Sequence, residues 1–340
     1  MMTQSDQQQT VHNVTGIILA AGSGVRMGDL GRRYPKACIP ILGEPLLARN
    51  LRMLYEAGIR TVIIVVRHQS EMVVESVNRY APPELAVTFV TQPAPRGIAD
   101  AVTCAADLFD GPFVLVLGDT YFIPDNLSLG LDGLRSGAAA ILSVRTVRDA
   151  ALIQNECTVE VDRSGTLLRI QEKPQTPWNM LKPCGVYFFS PLILEAIERT
   201  PPSALRGEVE ITDAIQTLLD LGHCIGCRPT IAWDNNMTAP DDILVSNLFE
   251  LQRREVTQFV ARTAVLHPDC VLEDSVVGIG VRISAPAHLS RAVVWEGAEI
   301  DRPGQYRDCI VTREMTVECD GRMLDTALRS REPVPHSQPW

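Results

Sequence analysis

The chain has 340 residues, 46% of them hydrophobic and 21% charged, with 41 acidic against 31 basic side chains and a formal net charge of −10. That composition belongs to a globular protein with one large domain, or a domain plus an appendage. The sign of the charge argues against non-specific binding to nucleic acid or to an anionic membrane. No apolar run approaches the ~20 residues of a membrane span, and nine cysteines without a framework spacing fit a reducing cytoplasm.

The opening residues are polar and lack a basic stretch followed by an apolar one, so 1–13 reads as a disordered tail and not as a secretory signal. Short, nearly continuous apolar runs follow at Ile17–Ala20, Thr61–Val66, Ala86–Val90, Phe113–Leu117 and Ala139–Val144. Such runs predict strands buried on both faces of a mostly parallel sheet. Helical stretches lie between and beyond them. Leu46–Ala57 has apolar residues at 46, 47, 51, 54 and 57 and stops at Gly58; Ile98–Leu108 and Pro191–Arg199 are similar. The expected fold is α/β and Rossmann-like, with ligands beyond the C-terminal strand ends. Thr158–Val161, Leu167–Gln171 and Gly185–Phe189 alternate more, as an antiparallel annex would; a helix over Ile211–Leu221, a strand through Ile231 and a linking helix over Asp241–Val260 follow. From Val265, apolar residues recur every six positions (Val265, Val271, Val277, Ile283, Leu289, Trp295), slipping near Ile300. That period predicts a short parallel β-helix, left-handed, capped against something and suited to subunit contact. The expected domains are 14–250 and 251–320, with a tail over 321–340.

The chemistry gathers at residues 16–36. An apolar run ends at Gly22-Ser23-Gly24, Arg26 follows at once, and Pro35-Lys36 closes the segment. The whole chain has only three lysines, Lys36, Lys173 and Lys182, and two sit in short motifs, Pro35-Lys36 and Glu172-Lys173-Pro174. A glycine turn at a strand end with mobile ammonium groups and an arginine describes a polyphosphate site. Gly22-x-Gly24-x-x-x-Gly28 is one residue too long for a dinucleotide fingerprint, and strand Thr61–Val66 ends in Arg67-His68 instead of an acid. No Gly-Lys-Ser/Thr follows, which excludes a P-loop. His223-Cys-Ile-Gly-Cys227 has no second pair and reads as structural.

Leu19-Ala-Ala-Gly-Ser-Gly-Val-Arg-Met27 with Pro35-Lys36 resembles the signature of the sugar-1-phosphate nucleotidyltransferases. Four further segments arrive in that family's order: Gln92-Pro-Ala-Pro-Arg-Gly-Ile-Ala99, Leu117-Gly-Asp-Thr120, Glu172-Lys-Pro174 with Gly185-Val-Tyr-Phe-Phe189, and Arg206-Gly-Glu-Val-Glu-Ile-Thr-Asp213. The resemblance spans about 14–250, and two of the segments most resemble glucose-1-phosphate thymidylyltransferases. It implies Mg²⁺-dependent nucleotidyl transfer, thymidylyl or guanylyl, from a nucleoside triphosphate (NTP) to a sugar-1-phosphate, with pyrophosphate released. Residue by residue, it assigns Arg26 and Lys36 to the β,γ-phosphates. Ala21, Gly22, Ser23 and Gly24 go to the triphosphate turn, and Gln92 and Gly97 to the base. Asp119 goes to Mg²⁺, Lys173 to the sugar phosphate, and Glu172, Cys157 and Val186 to the sugar.

Two segments depart from that pattern. Where the family carries a second metal-binding aspartate, this chain reads Trp233-Asp-Asn-Asn-Met-Thr-Ala-Pro-Asp-Asp242. Asn235 or Asn236 takes the position, depending on the alignment, and Asp234 stands beside it as a substitute. An aromatic-glycine pair of the thymidylyltransferases is replaced by Glu156-Cys157, which points to a different hexose or a cyclitol-1-phosphate. The alternatives are a catalytically silent, ligand-sensing regulatory subunit of the same fold, and a cytidylyltransferase for a non-sugar phosphate. A homo-oligomer is expected, with neither nucleic acid nor membrane as partner.

Overall fold

The computed structural model describes residues 14–22, 24–67, 70–203 and 207–321. The expected N-terminal tail, Ser23, and all of the expected C-terminal tail beyond 321 fall outside them. The described residues form two compact units: residues up to 22 with Leu47–Asp234, and Gly24–Leu46 with residues from Asn235 on. The boundary after Asp234 thus precedes the linking helix, which belongs to the second unit.

The first unit is built on a seven-stranded sheet: β1 (Thr15–Leu19), β2 (Thr61–Val66), β3 (Ala86–Thr91), β4 (Phe113–Leu117), β5 (Ala140–Thr146), β6 (Leu181–Phe189) and β7 (Ile225–Arg228). Their order is β7-β5-β6-β4-β1-β2-β3. All neighbours pair in parallel except β6, which runs antiparallel to both β4 and β5. Four of the apolar runs that predict parallel strands bury their side chains, with Ile17, Ile64, Leu115 and Leu142 at 0% exposure. The fifth, Ala86–Val90, does not, because β3 is the edge strand of the sheet and all its residues are half-buried or exposed. Two expectations change here. The segment Gly185–Phe189 is not part of the annex; β6 is buried along its whole length and lies in the main sheet, because a continuous apolar stretch is worth most where both faces are covered. The annex is instead a hairpin of Cys157–Val161 with Leu167–Glu172. The strand expected through Ile231 is likewise two strands, β7 and Ile231–Asn236, the latter beside Thr120–Pro124. In β7, Cys227 is buried and neighbouring Cys224 exposed; all nine cysteines are free.

In the second unit the helix Pro240–Arg253 stops short of the expected Val260, where Glu255 turns to φ 57°. Short strands then stack in parallel. Val260 pairs with Val277, Val277 with Val294 and Val294 with Val311, each partner 17 positions further on. The pairs Leu272–Leu289 and Ile283–Ile300 keep the same offset. Seventeen is one short of three six-residue steps, so a strict six-residue series drifts by one position per coil. Val277, Ile283 and Leu289 of that series are buried, whereas Val265 and Val271 at its start are about half exposed, at 54% and 50%. One corner of each coil falls on Asp274, Arg291 and Asp308, all at left-handed φ of 44–49°. Arg291 forks onto Asp308 across that corner, at 2.6 and 2.8 Å.

Candidate active site

In the first unit, β1 and β4 end level with one another at Leu19 and Leu117, and β2 and β3 one residue further on at Val66 and Thr91. The residues just after them therefore share one sheet edge: Ala21 and Gly22 after β1, Gln92 after β3, Asp119 after β4. Ala21 packs on the core, and Gly22 is exposed. A side-chain carbon added at Gly22 would lie 3.9 Å from Asp119 Oδ2, so that carboxylate faces the glycine turn. Ser23 is outside the described residues. No helix among the described residues is long and apolar enough to cross a membrane.

Gln92 is buried, and its main-chain N–H is fixed by Val66 O at 2.8 Å. Its amide Nε2 donates to Gly97 O at 3.1 Å and to Asp100 Oδ2 at 2.7 Å. Both partners are pure acceptors, so the amide orientation is determined and both its hydrogens are used. What Gln92 has left for a ligand is its acceptor, Oε1. Gly97 takes φ 100°, and a Cβ there would come within 3.0 Å of Val209 O and 3.1 Å of Glu208 Cβ. The glycine thus lets the Glu208-Val209 segment close against this loop, more than it makes room for a base.

Glu172 ends its hairpin strand and accepts Thr212 Oγ1–H at 3.4 Å. Lys173 follows at φ 42°, and its N–H donates to Glu156 O at 2.7 Å. A non-glycine residue held in the left-handed region costs on the order of 1 kcal/mol and marks a position the surroundings over-determine. Glu156 is also the outer member of a buried charge cluster. Lys182 Nζ, at 2% side-chain exposure, bonds Glu156 Oε2 and lies 2.7 Å from Asp234 Oδ2. Arg145 Nε bonds Asp234 Oδ1, and its Nη2 reaches Asp234 O at 3.2 Å. Burial pushes the Asp234 carboxyl up, but Arg145 and Lys182 outweigh it and hold it below its ordinary value. Burial likewise pulls Lys182 down, and Asp234 with Glu156 more than reverse it.

This cluster corrects the reading of Asp234 as a metal ligand: both its carboxylate oxygens are taken by cations, so it balances buried charge. Two sugar-pocket assignments also change. Cys157 turns into the core, 6% exposed, with burial and then Glu172 raising its thiol well above the ordinary value. A neutral thiol packed there does not reshape a pocket. Val186 is 0% exposed within β6, main chain included, and pairs with Val116 in the sheet, so it offers no surface to a sugar. Asp100, Thr212, Glu156, Lys182 and Arg145 are missing from the expected site. The hints were Lys182, the third of three lysines with no motif around it, Glu156 in the departing Glu156-Cys157 pair, and Thr212 inside the Arg206–Asp213 segment; Asp100 and Arg145 had none.

In the second unit, Arg26 is exposed on a 3₁₀ turn, Val25–Met27. Gly24 at φ 65° precedes it, and a Cβ on Gly31 would fall 2.0 Å from Gly24 O, so this turn and the helix Gly28–Arg33 lock together. Lys36 opens a second 3₁₀ turn and is 8% exposed.

Among the described residues no three His, Cys, Asp or Glu side chains are grouped to hold a metal. The donors present fit a Mg²⁺ that takes most of its ligands from water and substrate phosphates. Asp119 offers such an ion a hard carboxylate at the sheet edge of the first unit; in the second unit, Asn236 Oδ1 is buried with no hydrogen-bond partner among the described residues.

An open α/β sheet with an amide, a carboxylate and a glycine turn along its carboxyl edge defines a ligand-binding α/β protein. The nucleotidyl transferase family model matches residues 15–234, ending where the first unit ends, and the chain belongs to that family. Low-salt glycan biosynthesis nucleotidyltransferase Agl11 of Haloferax volcanii is 31% identical over 247 residues, 71% of this chain and 67% of the relative. Glucose-1-phosphate thymidylyltransferase of Streptomyces antibioticus is 32% identical over 288 residues, 84% and 78% of the two chains. Among solved structures, UDP-glucose pyrophosphorylase complexed with UDP-glucose superposes with a TM-score of 0.61 at 19% identity. It covers 71% of this chain and 99% of that one, a likeness of fold.

Proposed function

We propose that the protein transfers a nucleotidyl group from an NTP to a sugar-1-phosphate or cyclitol-1-phosphate. An oxygen of the sugar phosphate attacks the α-phosphorus, the bond to the β-phosphate oxygen breaks, and pyrophosphate leaves. The nucleophile is already an anion, so no general base is needed; the protein aligns two anions and offsets their charge. The observation that carries the reading is the shared sheet edge that gathers Gly22, Gln92 and Asp119. Lys173, on its strained backbone, is assigned to the sugar phosphate, and Glu172, steadied by Thr212, to a sugar hydroxyl. Arg26 and Lys36 are assigned to the β- and γ-phosphates on their family motif. Mg²⁺ held at Asp119 would polarise phosphate oxygens.

Gln92 offers an acceptor to the base. The ring N–H of thymine, uracil or guanine suits it; cytosine and adenine present a bare ring nitrogen at that point and could donate only from the exocyclic amino group beside it. This favours thymidylyl or guanylyl transfer, with uridylyl sharing the donor, over the cytidylyl alternative. The 17-residue parallel stack supports a left-handed β-helix that mediates subunit contact, and free cysteines suit the cytoplasm.

The test is pyrophosphate release with Mg²⁺, crossing the common NTPs with sugar- and cyclitol-1-phosphates. Release with one pair, abolished by chelation and by Asp119→Ala, is the expected result. Ligand-induced thermal stabilisation without release from any pair would replace this reading with a regulatory subunit.

A further inference from the structure

We infer that the C-terminal strand stack and its leading helix are the positioning element for Arg26 and Lys36, and thereby for the NTP. This rests on the assignment of those two cations above.

The segment Gly24–Leu46 forms one compact unit with residues more than 200 positions away, although it follows directly on β1. Two anchors hold it, one on each side of Lys36. Before it, the Tyr34 ring meets Trp295 edge to face, with centroids 4.9 Å apart and planes at 84°. The Tyr34 hydroxyl donates to Glu314 Oε2 at 2.6 Å. Glu314 sits on a tight turn, in which the Thr312 hydroxyl accepts the N–H groups of Glu314 and Met315 at 3.2 and 3.1 Å. Trp295, 6% exposed, follows Val294 in the stack. After Lys36, Leu42 N–H donates to Asn247 Oδ1 at 2.9 Å, and Asn247 Nδ2 donates to Pro40 O at 3.4 Å and to Ile243 O in its own helix at 2.8 Å. Asn247 is 0% exposed on the helix Pro240–Arg253.

A segment with two 3₁₀ turns and one six-residue helix cannot hold its own shape, because helices this short are unstable alone. Its geometry must be supplied from outside. A cation that neutralises charge on a departing phosphate contributes only when it is placed within a fraction of an ångström. The stack and helix supply that placement, and the Gly24–Gly31 approach transmits it to Arg26. The C-terminal unit then belongs to the NTP-binding machinery in addition to any role in subunit contact.

The test measures NTP affinity with Mg²⁺ by calorimetry on the full chain, and KM for the sugar-1-phosphate separately. The variants are Tyr34→Phe, Glu314→Gln, the two combined, Trp295→Ala and Trp295→Phe. Because the Tyr34–Glu314 pair is solvent-accessible, the first two leave the fold intact, which melting temperature verifies. NTP affinity is expected to fall about three- to tenfold in each single hydrogen-bond variant and no further in the double. Trp295→Ala is expected to lower it about tenfold, with Trp295→Phe restoring most of it, while the KM for the sugar-1-phosphate stays within about twofold. Unchanged NTP affinity in all variants, or equal losses for both substrates, overturns the inference. Arg26→Ala and Lys36→Ala separate the two levels of the argument. If they weaken NTP binding and the anchor variants do not, this inference alone fails. If they leave NTP binding untouched, the assignment of the cations fails, and the inference with it.

Discussion

Asp100→Asn tests whether Gln92 reads the base through an acceptor. In the native arrangement a reversed Gln92 amide would set its oxygen against Gly97 O and Asp100 Oδ2, now 3.1 and 2.7 Å from its nitrogen. It would lose one neutral hydrogen bond, about 1 kcal/mol, and one to a carboxylate, about 2 kcal/mol. At 1.4 kcal/mol per tenfold, the reversed form is held below about 1%. With an amide at position 100, the new side chain donates to the reversed Gln92 as readily as it accepts from the native one. Only the Gly97 bond, about 1 kcal/mol, then opposes reversal. Discrimination between a base with a ring N–H and one with a bare ring nitrogen should fall by about 10- to 30-fold. The assay is kcat/KM for pyrophosphate release with dTTP or UTP against CTP, in wild type and variant, with the melting temperature as control. A ratio that stays within about twofold, at an unchanged melting temperature, would refute the reasoning.

Gly97→Ala forces a Cβ into Val209 O and Glu208 at φ 100°; it should cost about 1–3 kcal/mol locally and raise the KM for the NTP, measured by steady-state kinetics, about tenfold or more. Lys182→Met leaves Glu156 and one oxygen of Asp234 without their cation; denaturant unfolding should show a loss of about 3 kcal/mol, and the KM for the sugar-1-phosphate should rise, since Glu156 also holds Lys173. The pH dependence has a definite sign: Asp234 lies below its ordinary 3.8 in the folded protein, so its contribution is complete above that value and is lost as pH falls through the lower folded value. Asp234→Asn should flatten the acid limb of stability below about pH 4, followed by fluorescence across a pH series. An acid limb as steep as wild type would show that the carboxylate is not held by its two cations.

The parts of this molecule legible in its sequence are those decided by neighbours along the chain. A buried parallel strand is written as a short run of consecutive apolar residues, so β1, β2 and β4 are visible in composition alone, while β3 is legible as a strand but not as the half-exposed edge it forms. The residue after each strand must lie at the ligand edge, so Gly22, Gln92 and Asp119 are placed by the same reading. The period of six was likewise visible, though its true coil of 17 residues was not, because one residue per turn is absorbed at corners such as Asp274, Arg291 and Asp308. Charge pairing leaves no such local trace. Lys182 meets partners 26 residues before it and 52 after it, and only the fold brings them together and excludes water. That exclusion turned Asp234 from a candidate metal ligand into a buried counter-ion. Tyr34 and Glu314 stand 280 residues apart, and nothing near either one forecasts the other. Their meeting, and so the support under Lys36, was decided by tertiary packing, because a segment of short turns takes its shape from whatever surface it is laid against.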